Sequence, residues 1–543
     1  MFHRGWREQA LEQLAEPFDL VVLGGGITGA GIFFDAAARG LRVLLAEKED
    51  LASGTSSRSS KLIHGGLRYL KRLQIGVTRT SVRERDLQER LYPHLVQPIP
   101  WIYPAFRDDP TPAWQVEIGL WLYDHLAPSD EHYRKISREE LLRLAPGIRQ
   151  DDLHKILVFK DSIVDDARLT WSVAASGFAA GGWVLTRAVP EEALPRAGGG
   201  IGGVVLRDLL TGATHRVAAS LVINATGAWV DEVRERLRLE GRTVRPSRGS
   251  HLLFERPSVP VEAAVTLPSP DDGRPVFFIP HPEGVLVGTT DLFHDGPLDD
   301  PRPTQGEVDY LLRALARAFP DAPPGPEDIR GAFAGVRPVI TSDVDDPSAA
   351  SREEHIWHEN GLLSVAGGKL TTWRATAEEA VDKALKLLPP GRARKAGPCI
   401  TGRTALAGSA PAHLDRRLAA AFGCPAPVAA GLARRLGSRA WSAAELAREG
   451  ELLPLAEGLD LCAAEVRGHL RFGGVVHLSD LLLRRVRIAM WTPAVARALI
   501  PELRGLICAE MGWTGRRWDR EVESFHGEAL GWSPAGIVAG EAP

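Results

Sequence analysis

The apolar run Leu20-Val21-Val22-Leu23 is followed by Gly24-x-Gly26-x-x-Gly29, and then by apolar positions Ala30, Ile32, Ala36 and Ala37 that stop at Gly40. The unbroken run reads as a buried strand and the spaced positions as a helix packed on it; Val43-Leu44-Leu45 is the next strand, with Glu47 at its end. This order predicts a dinucleotide site. The glycines Gly24, Gly26 and Gly29 let the backbone pass close to a pyrophosphate, and the helix start offers unpaired N–H groups to it. An acid about twenty residues beyond the glycines can hold a ribose 2′-OH, and Glu47 therefore favours an unphosphorylated ribose. A second match, Gly198-x-Gly200-x-x-Gly203, lacks this setting: PEEALPRA before it does not read as a strand, nor VVLRD after it as a helix. It reads as a turn in an antiparallel segment, so one nucleotide site is expected.

Further along, a loop rich in Ser and Gly runs from Ala52 to Lys61, and a basic helical stretch from Arg68 towards Arg90. Residues Pro98 to Pro128 are rich in Pro and Trp, and DSIVDDAR (161–168) precedes a helix. Strands follow at 183–185, 204–206 and 221–223, the last ending in Asn224-Ala225-Thr226-Gly227. Short strands with turn signals between Ser250 and Thr290 predict a mainly antiparallel sheet. Leu362 to Ala366 is a buried strand closed by Gly367-Gly368, and Gly368-Lys369-Leu370-Thr371 opens a helix through Leu387. Residues 388–391 read as a linker, and the Ala-, Leu- and Arg-rich sequence from Thr401 onward as a separate helical domain.

Composition narrows the function classes. The chain has 543 residues, with 44% hydrophobic and 25% charged, as in soluble globular proteins. A net charge of -4 gives no support to nucleic-acid binding. Cys399, Cys424, Cys462 and Cys508 form no CxxC, which points to a reducing compartment and to no metal site. The N-terminus is polar and amphipathic and does not read as a signal peptide, and no apolar run approaches the roughly twenty residues that span a bilayer.

GGGITGAG, TSSRSSKLIHGGLRYL, VDDARL, NATGAW, GSH, GTTD, GVRP and GGKLTT occur in the order seen in FAD-dependent glycerol-3-phosphate dehydrogenases, aerobic-type and quinone-linked, within the glycine oxidase-like flavoprotein superfamily. The resemblance covers residues from about Phe18 to Arg374 and continues more weakly into the helical C-terminal part. It implies an α/β fold: a discontinuous Rossmann-type FAD-binding domain (18–82, 157–235 and 336–388), an antiparallel-sheet substrate or cap domain (83–156 and 236–335) and an all-helical C-terminal domain (398–543).

The same resemblance places Thr55, Ser56, Ser59, Leu62 and Gly66 against FAD, with Thr226 and Gly227 beside the pyrophosphate, and adds Gly335 to the cofactor residues. Gly368, Lys369, Leu370 and Thr371 lie near the flavin, where N–H groups and Lys369 can stabilise negative charge on the reduced ring. A phosphate dianion needs cations, and Arg68 (next to Tyr69), Arg337 and Lys369 supply them within family motifs. His251 can take the C2 hydroxyl proton near neutral pH, with Arg337 assisting; Asp291 reads as holding the geometry and His64 as packing near the ring.

The implied reaction is oxidation of sn-glycerol 3-phosphate to dihydroxyacetone phosphate, by hydride transfer from C2 to flavin N5, with electrons passed to a membrane quinone. Alternatives are an oxygen-reducing glycerol-3-phosphate oxidase, an FAD oxidase of another 2-hydroxy acid or an amine, and a catalytically silent FAD-bound sensor. A quinone acceptor implies a cytoplasmic protein peripherally attached to the inner face of the cytoplasmic membrane. The basic stretch Arg68 to Leu73 and the aromatic stretch Ile99 to Pro104 are the candidate contacts. A homodimer is compatible with this picture.

Overall fold

The computed structural model describes residues 2–66, 74–126, 132–340 and 354–540. The first apolar run becomes the strand Phe18–Leu23, buried along its whole length. It lies between two parallel neighbours, Val43–Glu47 and Thr214–Asn224. Trp183–Thr186 extends the sheet on one side and Leu362–Ala366 on the other, both parallel, and His355–Glu359 closes the edge antiparallel. A parallel strand needs both faces covered, which accounts for its unbroken apolar sequence. Ile27–Ala38, Asp166–Ala179 and Trp373–Leu387 share one core with the sheet. On the other face, the meander Ala188–Pro195, Ile201–Asp208 and Thr214–Asn224 contributes Leu206 and Val217 to a second core.

A ten-stranded, mainly antiparallel sheet makes the second layer. Its long strands Val244–Phe254 and Ile329–Ile340 pair along almost their full length, Gly249 opposite Gly335 and His251 opposite Phe333. Val96–Phe106 pairs with Leu153–Val164, and Leu62–Ile63 joins the sheet from the serine-rich loop. C-terminal helices, including Ala426–Leu436, Ala463–Phe472, Pro493–Met511 and Gly515–Ala529, pack partly among themselves and partly on this sheet. In the latter core Leu481, Leu482, Trp491 and Trp532 meet Trp101 and Phe159.

Several local expectations are corrected. PEEALP belongs to a strand, Ala188–Pro195, whose register shifts between Pro190 and Glu192 and again between Ala193 and Pro195; irregular pairing of this kind tolerates proline. The helix expected at Gly368 starts at Trp373, and the expected linker contains a short helix, Pro390–Ala393. Ile99 to Pro104 cannot serve as a membrane contact: it lies in a sheet strand with Trp101 and Ile102 buried. The basic stretch enters a helix at Ile75–Leu91, whereas its candidate segment Arg68 to Leu73, and with it Arg68 and Tyr69, falls outside the described residues.

Candidate active site

The two sheets meet at a cleft of about 560 Å³, lined by Gly24, Gly26, Glu47, Thr55, Ser56, Ser59, Leu62, Thr226 and Gly227, by Gly335, Arg337 and His251, and by residues 368–371. At one end is the glycine turn. Gly24 has φ +104°, and a Cβ there would lie 2.7 Å from the Ala225 carbonyl oxygen. A Cβ on Gly29 would sit 1.9 Å from the Gly24 oxygen, so this glycine is needed for close packing of helix on turn, and it does not line the cleft. Gly66, at φ +75°, is likewise buried outside it. The Glu47 carboxylate lines the cleft and also braces the turn: Oε2 accepts from Gly25 N at 2.6 Å and Oε1 from Glu49 N at 2.7 Å. Burial pushes its pKa up against these two bonds.

The serine-rich loop spends its hydroxyls on its own architecture. Ser56 Oγ accepts from Ile27 N at 2.9 Å and so occupies the first amide of the nucleotide helix. Thr55 Oγ1 donates to the Val336 carbonyl at 2.5 Å, and Ser59 Oγ to Asp166 Oδ2 at 2.7 Å. These residues shape the cleft wall. Thr371 exchanges hydrogen bonds with the backbone of His64, at 3.1 and 3.2 Å, which ties the helix-opening turn to the loop across the cleft.

At the other end, His251 and Arg337 project from neighbouring strands. The imidazole stacks on Phe333, with centroids 4.9 Å apart and planes 16° apart, and its Nε2 bonds Ser60 Oγ at 2.9 Å. Nδ1 is buried, with no hydrogen-bond partner among the described residues. Burial, then the charges of Arg337 and Lys61, hold this histidine well below its usual pKa. A histidine shifted in this direction favours its neutral form, the form that can accept a proton. Arg337 Nη1 pairs with Asp291 Oδ1 at 3.0 Å and Nη2 donates to Thr289 Oγ1 at 3.0 Å; Ser247 Oγ donates to the same Asp291 oxygen at 2.5 Å. Asp291 thus anchors the guanidinium, as expected of a residue that holds geometry. Lys369 is half-buried in the cleft wall.

Three contributors escaped sequence reasoning. Gly249 leaves the room that the Arg337 guanidinium fills: a Cβ there would come within 2.2 Å of Nη2. Gly288 does the same for His251, at 2.4 Å from Cδ2. Ser60 is the protein partner of His251, and its only signal was its place inside TSSRSSK. Among the described residues no cluster of three or more His, Cys, Asp and Glu could hold a metal ion.

Residues 19–383 match the model of the FAD dependent oxidoreductase family, and residues 399–518 that of the C-terminal domain of alpha-glycerophosphate oxidase. The chain is 35% identical over 526 residues to the glycerol-3-phosphate dehydrogenase of Mycobacterium leprae, covering 94% of this chain and 88% of the relative. It is 37% identical over 487 residues to the aerobic glycerol-3-phosphate dehydrogenase of Staphylococcus haemolyticus, covering 87% and 86%. Its fold superposes on the glycerol-3-phosphate dehydrogenase of Bacillus halodurans, solved with FAD, over all of both chains, with a TM-score of 0.81 and 28% identity. The L-alpha-glycerophosphate oxidase of Mycoplasma pneumoniae, solved with FAD bound, shares the fold at a TM-score of 0.55 and 19% identity, over 67% of this chain and 94% of that one. The glycine turn, the acid that braces it and the long cleft fit such a dinucleotide, and these matches together establish that the chain belongs to the FAD-dependent oxidoreductase family, alongside the glycerol-3-phosphate dehydrogenases.

Proposed function

We propose that this protein oxidises sn-glycerol 3-phosphate at C2 to dihydroxyacetone phosphate and delivers the electrons to a quinone at a membrane surface. The observation that carries this reading is the placement of His251, Arg337 and Lys369 in the same cleft as the nucleotide turn. Bound FAD supplies the two-electron acceptor for C2. The chain supplies the rest. Arg337, held by Asp291 and Thr289, presents a fixed guanidinium to an oxyanion, and Lys369 adds a second positive charge for the phosphate dianion. Arg68 and Tyr69 complete the anion site in this reading. The neutral His251 imidazole, oriented by the bond between its Nε2 and Ser60 Oγ, assists removal of the C2 hydroxyl proton in this reading. A carbonyl at C2 requires loss of this proton together with C–H cleavage, so base and acceptor must flank one carbon.

Attachment to the bilayer has support on the helix Ala113–His125. Trp114, Ile118 and Trp121 are spaced i, i+4, i+7 and more than half exposed, at 57%, 52% and 52%. Large exposed aromatic residues in a stripe suit a headgroup interface, and no helix among the described residues is long and apolar enough to cross a membrane. Anaerobic addition of glycerol 3-phosphate to the yellow protein tests the reaction: the 450 nm band should bleach, and a quinone should restore it faster than oxygen. Rapid return with oxygen and none with quinone would make the protein an oxidase, and an unbleached band would remove this substrate. Co-sedimentation with anionic vesicles, lost in the double variant Trp114→Ser, Trp121→Ser, tests the surface.

A further inference from the structure

The cleft wall is gripped from behind by the C-terminal domain. Arg487 sits between the helical turn Asp480–Arg485 and the helix Ile488–Trp491, at a left-handed φ of +62°, and its side chain is 2% exposed. Nη1 donates to Asp166 Oδ1 at 3.1 Å and Nη2 to the Ser57 carbonyl at 3.0 Å. Asp166, fully buried, is a hub. It accepts from Ser59 N at 3.0 Å, from Ser59 Oγ at 2.7 Å, and from Lys61 Nζ at 2.9 and 3.0 Å. Ser57, Ser59 and Lys61 are thus all fastened to Asp166 or Arg487. Ser60, between the last two, bonds instead to His251 Nε2 at 2.9 Å.

We propose that Arg487 is a positioning residue for the reaction: by fixing Ser57 to Lys61 through Asp166, it sets the Ser60–His251 hydrogen bond and with it the orientation and tautomer of the imidazole. Arg487 and Ser60 share no hydrogen bond, so the influence runs through the loop backbone. A planar guanidinium can hold the Ser57 carbonyl and the Asp166 carboxylate at once, whereas a lysine ammonium offers a point charge without that fixed fork. Burial, and after it the charge of Arg487, lower the Lys61 ammonium to about 8, a repulsion that their shared partner Asp166 offsets. In this arrangement the C-terminal domain is part of the catalytic apparatus.

The proposal rests on the reading of His251 as the base, and a double-mutant cycle separates the two. The rate of anaerobic flavin bleaching by glycerol 3-phosphate is measured for Arg487→Met, Ser60→Ala and the pair, with Arg487→Lys as the charge-keeping variant, all at equal FAD content. The expected result is a loss of about tenfold or more in rate with little change in KM for each single variant. The double variant should be no slower than the slower single one, because both break one linkage. Arg487→Lys should fall between wild type and Arg487→Met. Losses that multiply in the double variant, or a wild-type rate in FAD-loaded Arg487→Met or Arg487→Lys, overturn the proposal. His251→Ala resolves the remaining ambiguity. If it keeps the wild-type rate while Arg487 and Ser60 stay coupled, the base assignment fails and the linkage stands. If it is slow while the cycle is additive, the linkage fails and the base stands.

Discussion

Gly249 offers a direct test of how the site holds its arginine. Alanine there places a methyl carbon 2.2 Å from Nη2 and 2.6 Å from both Cζ and Nη1 of Arg337. Carbon contacts settle at about 3.5 Å, so the guanidinium must retreat by on the order of 1 Å. That displacement breaks its 3.0 Å bonds to Asp291 and Thr289. Asp291 keeps the Ser247 hydroxyl at 2.5 Å, which limits the damage to the fold. What is lost is the aim of one charge-assisted bond to substrate, about 1.5–3 kcal/mol, or about ten- to a hundredfold in kcat/KM. A dye-linked assay of glycerol 3-phosphate oxidation reads this loss, with 450 nm absorbance reporting FAD content and a melting curve reporting the fold. If kcat/KM stays within about twofold of wild type while FAD is bound, Arg337 does not act from the position described here.

Other expectations follow from the same geometry. Gly29→Ala forces a methyl carbon to within 1.9 Å of the Gly24 oxygen, so the purified variant should be colourless or insoluble; a yellow, stable variant would refute the packing argument. Glu47→Ala strands the amides of Gly25 and Glu49, and should raise the FAD dissociation constant by about tenfold or more, measured by flavin fluorescence on titration; unaltered affinity would contradict its bracing role. Buried His251, His281 and His469 and half-buried His94 all have lowered pKa values, about 4 for the last three. Each contributes stability in full above the ordinary value near 6.5 and loses it as pH falls towards the folded value, so Tm should drop between pH 7 and pH 4.5; a flat Tm over that range would count against buried neutral imidazoles.

The parallel sheet was readable because both its faces are covered: Leu20 to Leu23 and Leu221 to Ile223 are apolar throughout, Leu362 to Ala366 is interrupted only at Ser364, and each has its own turn signal. Gly24 and Gly29 were readable for the same reason that they are necessary, since no other residue fits there. The identity of what they bind came from motif order, a property of the whole chain that no single segment carries. Ser60 and Gly249 were not readable in their roles, because a serine beside a histidine and a glycine beneath an arginine are tertiary facts, set by strand register. Trp101 stayed open between a bilayer contact and a packed core, because an aromatic residue among prolines looks the same at a membrane surface and in the middle of a sheet, where it lies.

The grip of the C-terminal domain on the N-terminal half also constrains how the molecule is made. Asp50, in the loop after the second strand of the nucleotide unit, is held by Arg484 at 2.7 Å and by Arg485 at 2.8 Å, partners 434 and 435 residues further along the chain. On the ribosome, translation reaches Arg484 only 434 residues after Asp50. Until then a carboxylate destined for a dry interior has no counter-charge, and the wall behind the nucleotide turn is unfinished. The nucleotide unit thus waits on a distant segment to close one of its own loops, and a chain that stops before Arg484 is expected to purify with less flavin than the whole one.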